Sequence, residues 1–385
     1  MRILIAPNAF KNSLNATAVA SAIKEGLMES SLSCNCHCFP VGDGGDGTAE
    51  LIIQHCKGIV IPVEVNDPLG RKINSSFGLI DEGKTAVIEM ADASGLRLLK
   101  STEHDPLHVT SFGTGELMLH ALDKGVNKII LCIGGSATVD GAAGILKALG
   151  IRFLNKYGEE LNNLPETMTE LVSIDFSALD KRILNCDLVV LCDVENFLLG
   201  NDGAANVFGP QKGASDADVI KLEASLTRMR NVVFDLTGKD MAMIKYGGAA
   251  GGTAASLAVL LNARLVNGIE NFLSLTGFDE ALKEAELVIT GEGSIDIQTL
   301  QGKGPFGVAR KAKEKARLPD GQEIPVIGIA GKIPSEIPAS LQEYFDVLLS
   351  INPEPVEISD ALVNTYQNLK RTAKAMGDGL ALLVK

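Results

Sequence analysis

Short aliphatic runs ended by glycine or polar corners alternate along the chain with stretches of helical period. Residues 2–6 read as a strand, after which Ala16, Val19, Ala20, Ile23 and Leu27 fall on one helical face. A second run at 36–41 enters the glycine-rich segment 42–47. A short helix starts near Thr48, and a third run covers 59–65. This βαβαβ opening predicts a parallel sheet with right-handed crossovers. Near 66–70 the texture changes, and the runs 73–80 and 85–90 flank Asp81, Glu82 and Gly83 as a hairpin. A helix at 114–122, a strand at 128–133, a loop at 134–140 and a helix at 141–149 follow. Beyond them lie strands at 188–192 and 232–236 and a helix at 253–261. The α/β rhythm returns with strand 287–290, helix 305–316, strand 326–330 and helix 360–376. The chain therefore reads as α/β, with a mixed domain (66–286) inserted into a parallel-sheet domain (1–65 and 287–385).

Composition narrows the function. At a soft prior of about 150 residues per domain, 385 residues suit two or three domains. Thirty-five basic against 48 acidic residues leave a net charge of −13, which argues against a nucleic-acid or anionic-membrane surface and suits a metabolic enzyme. The longest uncharged run, 246–263, holds four glycines and is too polar to span a bilayer. The opening residues do not read as a secretory leader, and an odd count of seven cysteines suits a reducing compartment; a cytoplasmic protein is expected.

Two familiar expressions fail on physical grounds. Gly78, Gly83, Lys84 and Thr85 fit the phosphate-loop spacing, but residues 87–90 continue as strand where that mechanism needs a helix. Gly42, Gly44 and Gly47 fit a dinucleotide fingerprint, with Glu64 at a suitable distance. Asp43 and Asp46 stand inside that loop, and each would repel a pyrophosphate by about 4 kcal/mol at ~4 Å and an effective dielectric of ~20. The loop reads better as metal- or hydroxyl-binding, and a nicotinamide-dependent oxidoreductase remains the alternative. Cys34, Cys36 and Cys38 alternate along a strand, which places them on one sheet face without chelating spacing.

Four strand-to-loop corners share glycines, hydroxyls and acids: Asp43 to Thr48, Gly134 to Gly141, Cys192 to Asn196, and Thr290 to Thr299 continuing through Gly302, Lys303 and Gly304. Open α/β sheets collect ligands at such ends. Glycine amides (Gly44, Gly45, Gly134, Gly135, Gly291, Gly293) with Ser136 and Thr138 suit phosphate, and Lys11, Lys212 and Lys303 supply cations. Mg²⁺ needs only one or two carboxylates beside phosphate oxygens, and Asp43 and Asp193 are the candidates for metal ligation or hydroxyl orientation. Asp296, with Lys303, completes the charge arrangement. Phosphoryl transfer asks for this kit.

In these corners the chain resembles the bacterial glycerate kinases of the glyoxylate and glucarate pathways. The matching motifs begin with Ile5 to Leu14, Asp43 to Thr48, Ser111 to Glu116, and Ile133 to Thr138. Cys192 to Asn196, Phe208 to Gly213, Gly248 to Gly252, and Thr290 to Lys303 follow in order. The resemblance implies a flavodoxin-like domain interrupted by a second one, and ATP-dependent phosphorylation of D-glycerate, with 2-phosphoglycerate favoured over 3-phosphoglycerate. Glycerate and MgATP would meet in a cleft between the domains, with Lys11 on the glycerate carboxylate or a phosphate. A monomer or homodimer is expected, with no nucleic-acid or membrane partner; a non-catalytic sugar-acid sensor is a further alternative. The chain departs from the family pattern at Asn8 and Ala9 (Asp-Ser), Asp46 (Glu), Val139 (Asn), Ala142 (Gly) and Phe197 (Pro).

Overall fold

The computed structural model describes residues 1–315, 321–352 and 357–383. Among them thirteen strands form: β1 Arg2–Ile5, β2 Asn35–Cys38, β3 Ile59–Asn66, β4 Lys72–Ile80, β5 Thr85–Glu89, β6 Lys128–Cys132, β7 Arg152–Leu154, β8 Ser173–Asp175, β9 Asp187–Cys192, β10 Arg264–Asn267, β11 Leu287–Ser294, β12 Val326–Lys332 and β13 Val347–Ser350. No helix among the described residues is long and apolar enough to cross a membrane.

The chain divides into two compact units. One comprises residues 1–43 and those from 269 onward; the other comprises 44–268. The first is built on a parallel sheet in the order β13-β12-β11-β1-β2. Counted within the unit this is 2-1-3-4-5, the flavodoxin-like order, whose switch point lies between β1 and β11. The helix Ala16–Met28 is capped by Asn15 and buries Val19, Ala20, Ile23 and Leu27, the face set by their spacing. It packs with Ile3, Ile5, Ile289, Ile329, Leu369 and Ala373 in one core. Cys36 and Cys38 lie against that core on alternate positions of β2, as their spacing predicts.

The second unit carries a six-stranded mixed sheet, β10-β9-β6-β5-β4-β3, and the small β7-β8 pair. β3, β4 and β5 run antiparallel in sequence, and β5, β6, β9 and β10 run parallel. Registers of Glu89 with Cys132, Cys132 with Leu191, and Cys192 with Asn267 align the carboxyl ends of those four strands.

Several expectations change. The run at 59–65 does not complete a parallel βαβαβ sheet, for β3 is the edge strand of the mixed sheet and pairs antiparallel with β4. The turn at Asp67, whose side chain accepts from the amides of Leu69 and Arg71, makes that short connection. Consequently the units divide at 43/44 and 268/269 rather than at 65/66 and 286/287. The helix Thr48–His55 and β3 pack in the second unit, while Ile269 and Phe278 pack in the first, beside Gly307 and Phe39. The run 232–236 is not a strand. It ends the helix Asp216–Thr237, which starts at a Ser215–Asp218 capping box and buries Leu222, Ser225, Leu226, Met229, Val232 and Val233 at helical spacing. Strand 287–290 extends to Ser294, and helix 360–376 is two helices, Ile358–Val363 and Thr365–Leu383. Asp81–Gly83 is a tight helical turn followed by strand, which removes the phosphate-loop reading. The predicted helix end at Ala316 lies outside the described residues.

Two helical glycines separate packing from propensity. A side chain on Gly26 would meet the Lys370 carbonyl and Ala373 of the helix Thr365–Leu383, whereas one on Gly379 would meet open space. Alanine gains about 1 kcal/mol of helix propensity at either site, while overpacking costs about 1–3 kcal/mol. Thermal denaturation should therefore show Gly379→Ala raising Tm and Gly26→Ala lowering it by about 3 °C or more. Equal shifts in one direction would contradict this account.

Candidate active site

In the first unit the ends of β1, β2 and β11 stay joined beyond the strands. The Asn8 amide N donates to the Gly291 carbonyl at 2.8 Å, Val41 N to the Pro7 carbonyl at 2.9 Å, and the Thr290 hydroxyl to the Ala6 carbonyl at 2.8 Å. This brings Asn8 to Asp43: its Nδ2 donates to Asp43 Oδ2 at 2.8 Å, and its own Oδ1 accepts from Ala9 N at 2.8 Å. Asp43, only 8% exposed, also accepts from the Gly304 amide at 3.4 Å, where the helix Gly304–Lys315 begins.

Glu292 shares this neighbourhood. It accepts from the Thr299 hydroxyl at 3.1 Å and lies 3.9 Å from Lys303 Nζ. Burial pushes its carboxyl up to about 7; Lys303 opposes that rise, Asp43 adds to it, and Thr299 and Lys11 oppose it again. Lys11 is exposed, and its backbone N lies 3.8 Å from where a Gly293 side chain would begin. Gly291 and Gly293 belong to β11 itself; Gly291 lies closed against the Ile329 carbonyl and offers no cradle. Asp296 caps the short turn Ile297–Gln301 by accepting from Gln298 N.

The second unit gathers the other corners at the ends of β5, β6 and β9. Gly44 N donates to the Thr48 hydroxyl at 3.1 Å, and its carbonyl accepts from Gly134 N at 3.0 Å. A side chain on Gly135, at φ 68°, would strike the Asp46 carboxylate. Gly45 lies against Gly134. Glu89 accepts from Gly47 N at 2.5 Å and Ala49 N at 3.0 Å, and burial pushes its carboxyl up to about 7 against those two bonds. The first amides of the helix Thr48–His55 are thus occupied by the protein's own acid. A pyrophosphate cannot have them, which disfavours the dinucleotide alternative. Asp140 is satisfied by four donors: Ser111 N and Oγ, Ala142 N and Gly144 N. Buried Lys212 donates to Ser136 Oγ at 2.9 Å and to the Thr138 carbonyl at 2.7 Å. Burial pushes this ammonium down to about 7, with Asp140 and Asp193 opposing. Asp193 follows the end of β9.

The structure thus groups Lys11, Asp43, Gly291, Gly293, Asp296 and Lys303 in one unit. Gly44, Gly45, Gly134, Gly135, Ser136, Thr138 and Asp193 belong to the other. Glu292, Glu89 and Asn8, the partner of Asp43, are not singled out by motif composition; of the three only Glu89 carries a sequence signal, an acid inside the apolar run 86–90. Among the described residues no group of three or more His, Cys, Asp or Glu side chains is set to hold a metal. Hard carboxylate oxygens offered singly or in pairs fit an ion that arrives with phosphate oxygens, as Mg²⁺ does, and not a caged resident ion.

A family model described as the glycerate kinase family matches residues 3–380. A glycerate kinase of Halalkalibacterium halodurans is 41% identical over 372 residues, 97% of this chain and 96% of that one. Glycerate 2-kinase of Escherichia coli K12 is 41% identical over 382 residues, 99% and 98% of the two chains. A crystal structure from Salmonella typhimurium LT2, assigned as a glycerate kinase 2, superposes with a TM-score of 0.81 at 41% identity, covering 99% of this chain and 98% of that one.

The raised carboxyl of Glu292 has a measurable consequence. Below about pH 4.5 it is protonated in both folded and unfolded chains. As pH rises through 7 the folded state must hold a buried carboxylate, and stability falls by up to about 3 kcal/mol. Glu292→Gln removes that cost. The difference in Tm between variant and wild type should grow more positive from pH 5 to pH 8.5, and a difference that ignores pH would refute the assignment.

Proposed function

The chain belongs to the glycerate kinase family, and from that premise we propose that it transfers the terminal phosphoryl group of ATP to the 2-hydroxyl of D-glycerate, giving ADP and 2-phosphoglycerate. The observation that carries this reading is the Asp43 carboxylate held by Asn8 and Gly304 beside Glu292 and Lys303, at the switch point of a flavodoxin-like sheet. The name of the E. coli relative supports the choice of hydroxyl.

In the transfer the glycerate oxygen forms a bond to the terminal phosphorus, and the bond from that phosphorus to the bridging oxygen of ADP breaks. The hydroxyl proton passes to a carboxylate. Asp43 and Asp193 are assigned to orienting the hydroxyl or to holding Mg²⁺, and Glu292, whose carboxyl burial pushes up to about 7, is a further proton acceptor of the Asp43 corner in this reading. When bound with the nucleotide, Mg²⁺ would neutralise charge on the phosphate oxygens. Lys11 and Lys303 counter substrate charge, while Gly134, Gly135, Ser136 and Thr138, with Gly44 and Gly45 behind them, receive phosphate. Asp296 acts through its cap, which fixes the turn leading to Lys303.

An ADP-release assay with D-glycerate, L-glycerate, tartronate and glycerol, followed by NMR of the product, tests the reading. D-Glycerate should support turnover and yield the 2-phospho product; the 3-phospho isomer would move the transfer to the other hydroxyl. Asp193→Asn should reduce kcat at least about a hundredfold with Tm nearly unchanged. Normal turnover would remove Asp193 from the machinery.

A further inference from the structure

Three cysteines stand on alternate positions at the outermost strand of the first unit's sheet: Cys34 just before β2, and Cys36 and Cys38 within it. Ile3 of β1 lies opposite Cys36 and Ile5 opposite Cys38, while Asn35 and His37 are exposed. The three thiols are free and half-buried, and they lie against the core that holds Ile3, Ile5, Ala20 and Ile23. Their spacing is not that of a zinc motif, yet the fold turns two of them together. Cys34 Sγ and Cys36 Sγ are 3.7 Å apart and share one S–H···S hydrogen bond. Cys38 is engaged elsewhere, its thiol donating to the Ala20 carbonyl at 3.7 Å. The charge of Lys24, on the helix Ala16–Met28, reaches both Cys36 and Cys38.

A thiol pair at this distance can be joined in two ways. A disulfide needs its sulfurs about 2.05 Å apart and its Cα atoms about 4.4–6.8 Å apart. Residues two apart on a strand are separated by about 6.5 Å, at the far end of that range, so the sulfurs would have to approach by about 1.5 Å against the strand. Burial and the Cys34 thiol also push Cys36 up to about 12, which withholds the thiolate that an oxidation needs. A single soft ion requires no such movement. Two sulfurs, each about 2.3 Å from one atom, stand about 3.8 Å apart at the tetrahedral angle and about 4.6 Å apart in a line, so the observed pair already has the bite of a shared ion. Ligand number then selects the ion. Zinc asks for four ligands, and among the described residues no group of three or more His, Cys, Asp or Glu is set to hold a metal. Magnesium and calcium ask for oxygen. Two thiolates suit a monovalent soft cation. We propose that Cys34 and Cys36 form a dithiolate site for monovalent copper on β2, apart from the residues assigned to phosphoryl transfer. On binding, both thiol protons leave to solvent, and Lys24 offsets the single negative charge of the filled site.

The test uses the full-length protein, reduced and kept free of oxygen, with Cu(I) offered from its coloured complex with bicinchoninate. Wild type should withdraw one equivalent, read as loss of the complex's colour and gain of ultraviolet sulfur-to-copper absorption. Cys34→Ser and Cys36→Ser should each weaken binding at least about a hundredfold, since losing a ligand costs no less than losing an outer-shell partner. Cys38→Ser should bind as wild type does. The proposal is overturned if reduced wild type leaves Cu(I) with the chelator. It is equally overturned if the protein carrying both Cys34→Ser and Cys36→Ser still withdraws the equivalent, which would place the ion on other cysteines, or if Cys38→Ser loses as much as Cys34→Ser. Should Cys36→Ser not fold, as its Tm would report, Cys34→Ser carries the comparison, because Cys34 stands before the paired residues of β2. The readout does not pass through ADP release, so failure of the kinase reading would leave it untouched.

Discussion

A buried charge must find compensating donors or acceptors within the fold, and this constraint sorts the polar residues at the strand ends. Asp140 has four donors and is fully engaged in joining the start of one helix to Ser111. Glu89 has two amides and holds the entrance of the helix Thr48–His55. Burial pushes Glu89 and Glu292 up and Lys212 down, each to about 7, so all three are less completely compensated than Asp140. What separates them is the bonds they make: Glu89 is spent on backbone amides that fix a helix start, whereas Glu292 meets a hydroxyl and Lys303, and Lys212 meets Ser136 and the Thr138 carbonyl.

The same constraint explains how much was legible in the sequence. Alternation and helical spacing located β1, β4, β5, β6, β9 and the helix Ala16–Met28, since one-sided burial imposes those periods directly. They misread residues 232–236 because Val232, Val233, Phe234 and Leu236 form a dense apolar cluster. Only the capping box at Ser215 shows that a long helix is already under way there. They misplaced β3 because a strand's partner is decided by its connections, and the turn at Asp67 makes the antiparallel neighbour the nearer one. The four corners were visible from composition. Their grouping into two units was not, since one boundary falls inside the first corner, between Asp43 and Gly44.

Glycine enrichment at the corners also had two meanings that sequence alone merges. Some of these glycines are required by protein against protein: Gly291 against the Ile329 carbonyl, and Gly135 against Asp46. A residue type that lets backbone approach a ligand equally lets backbone approach backbone. Candidate cradles therefore have to be judged by whether their amides are already used. By that measure the amides behind Gly47 are spent on Glu89, whereas the hydroxyl of Thr138 is not spent at all.

The departures from the family pattern follow the same logic. Ala142 keeps the left-handed φ of 64° that glycine would adopt freely, so the loop holds its shape at some cost in strain while its amide still donates to Asp140. Val139 is wholly buried among the apolar residues of its unit and contributes packing where the family pattern has a polar side chain. Asn8 matters most. An acid at that position would face Asp43 as a second negative charge, whereas the amide donates to Asp43 and satisfies its own oxygen from Ala9. One fewer anion beside Asp43 and Glu292 lowers the negative charge of this corner, which those two acids share with Lys303 and Lys11.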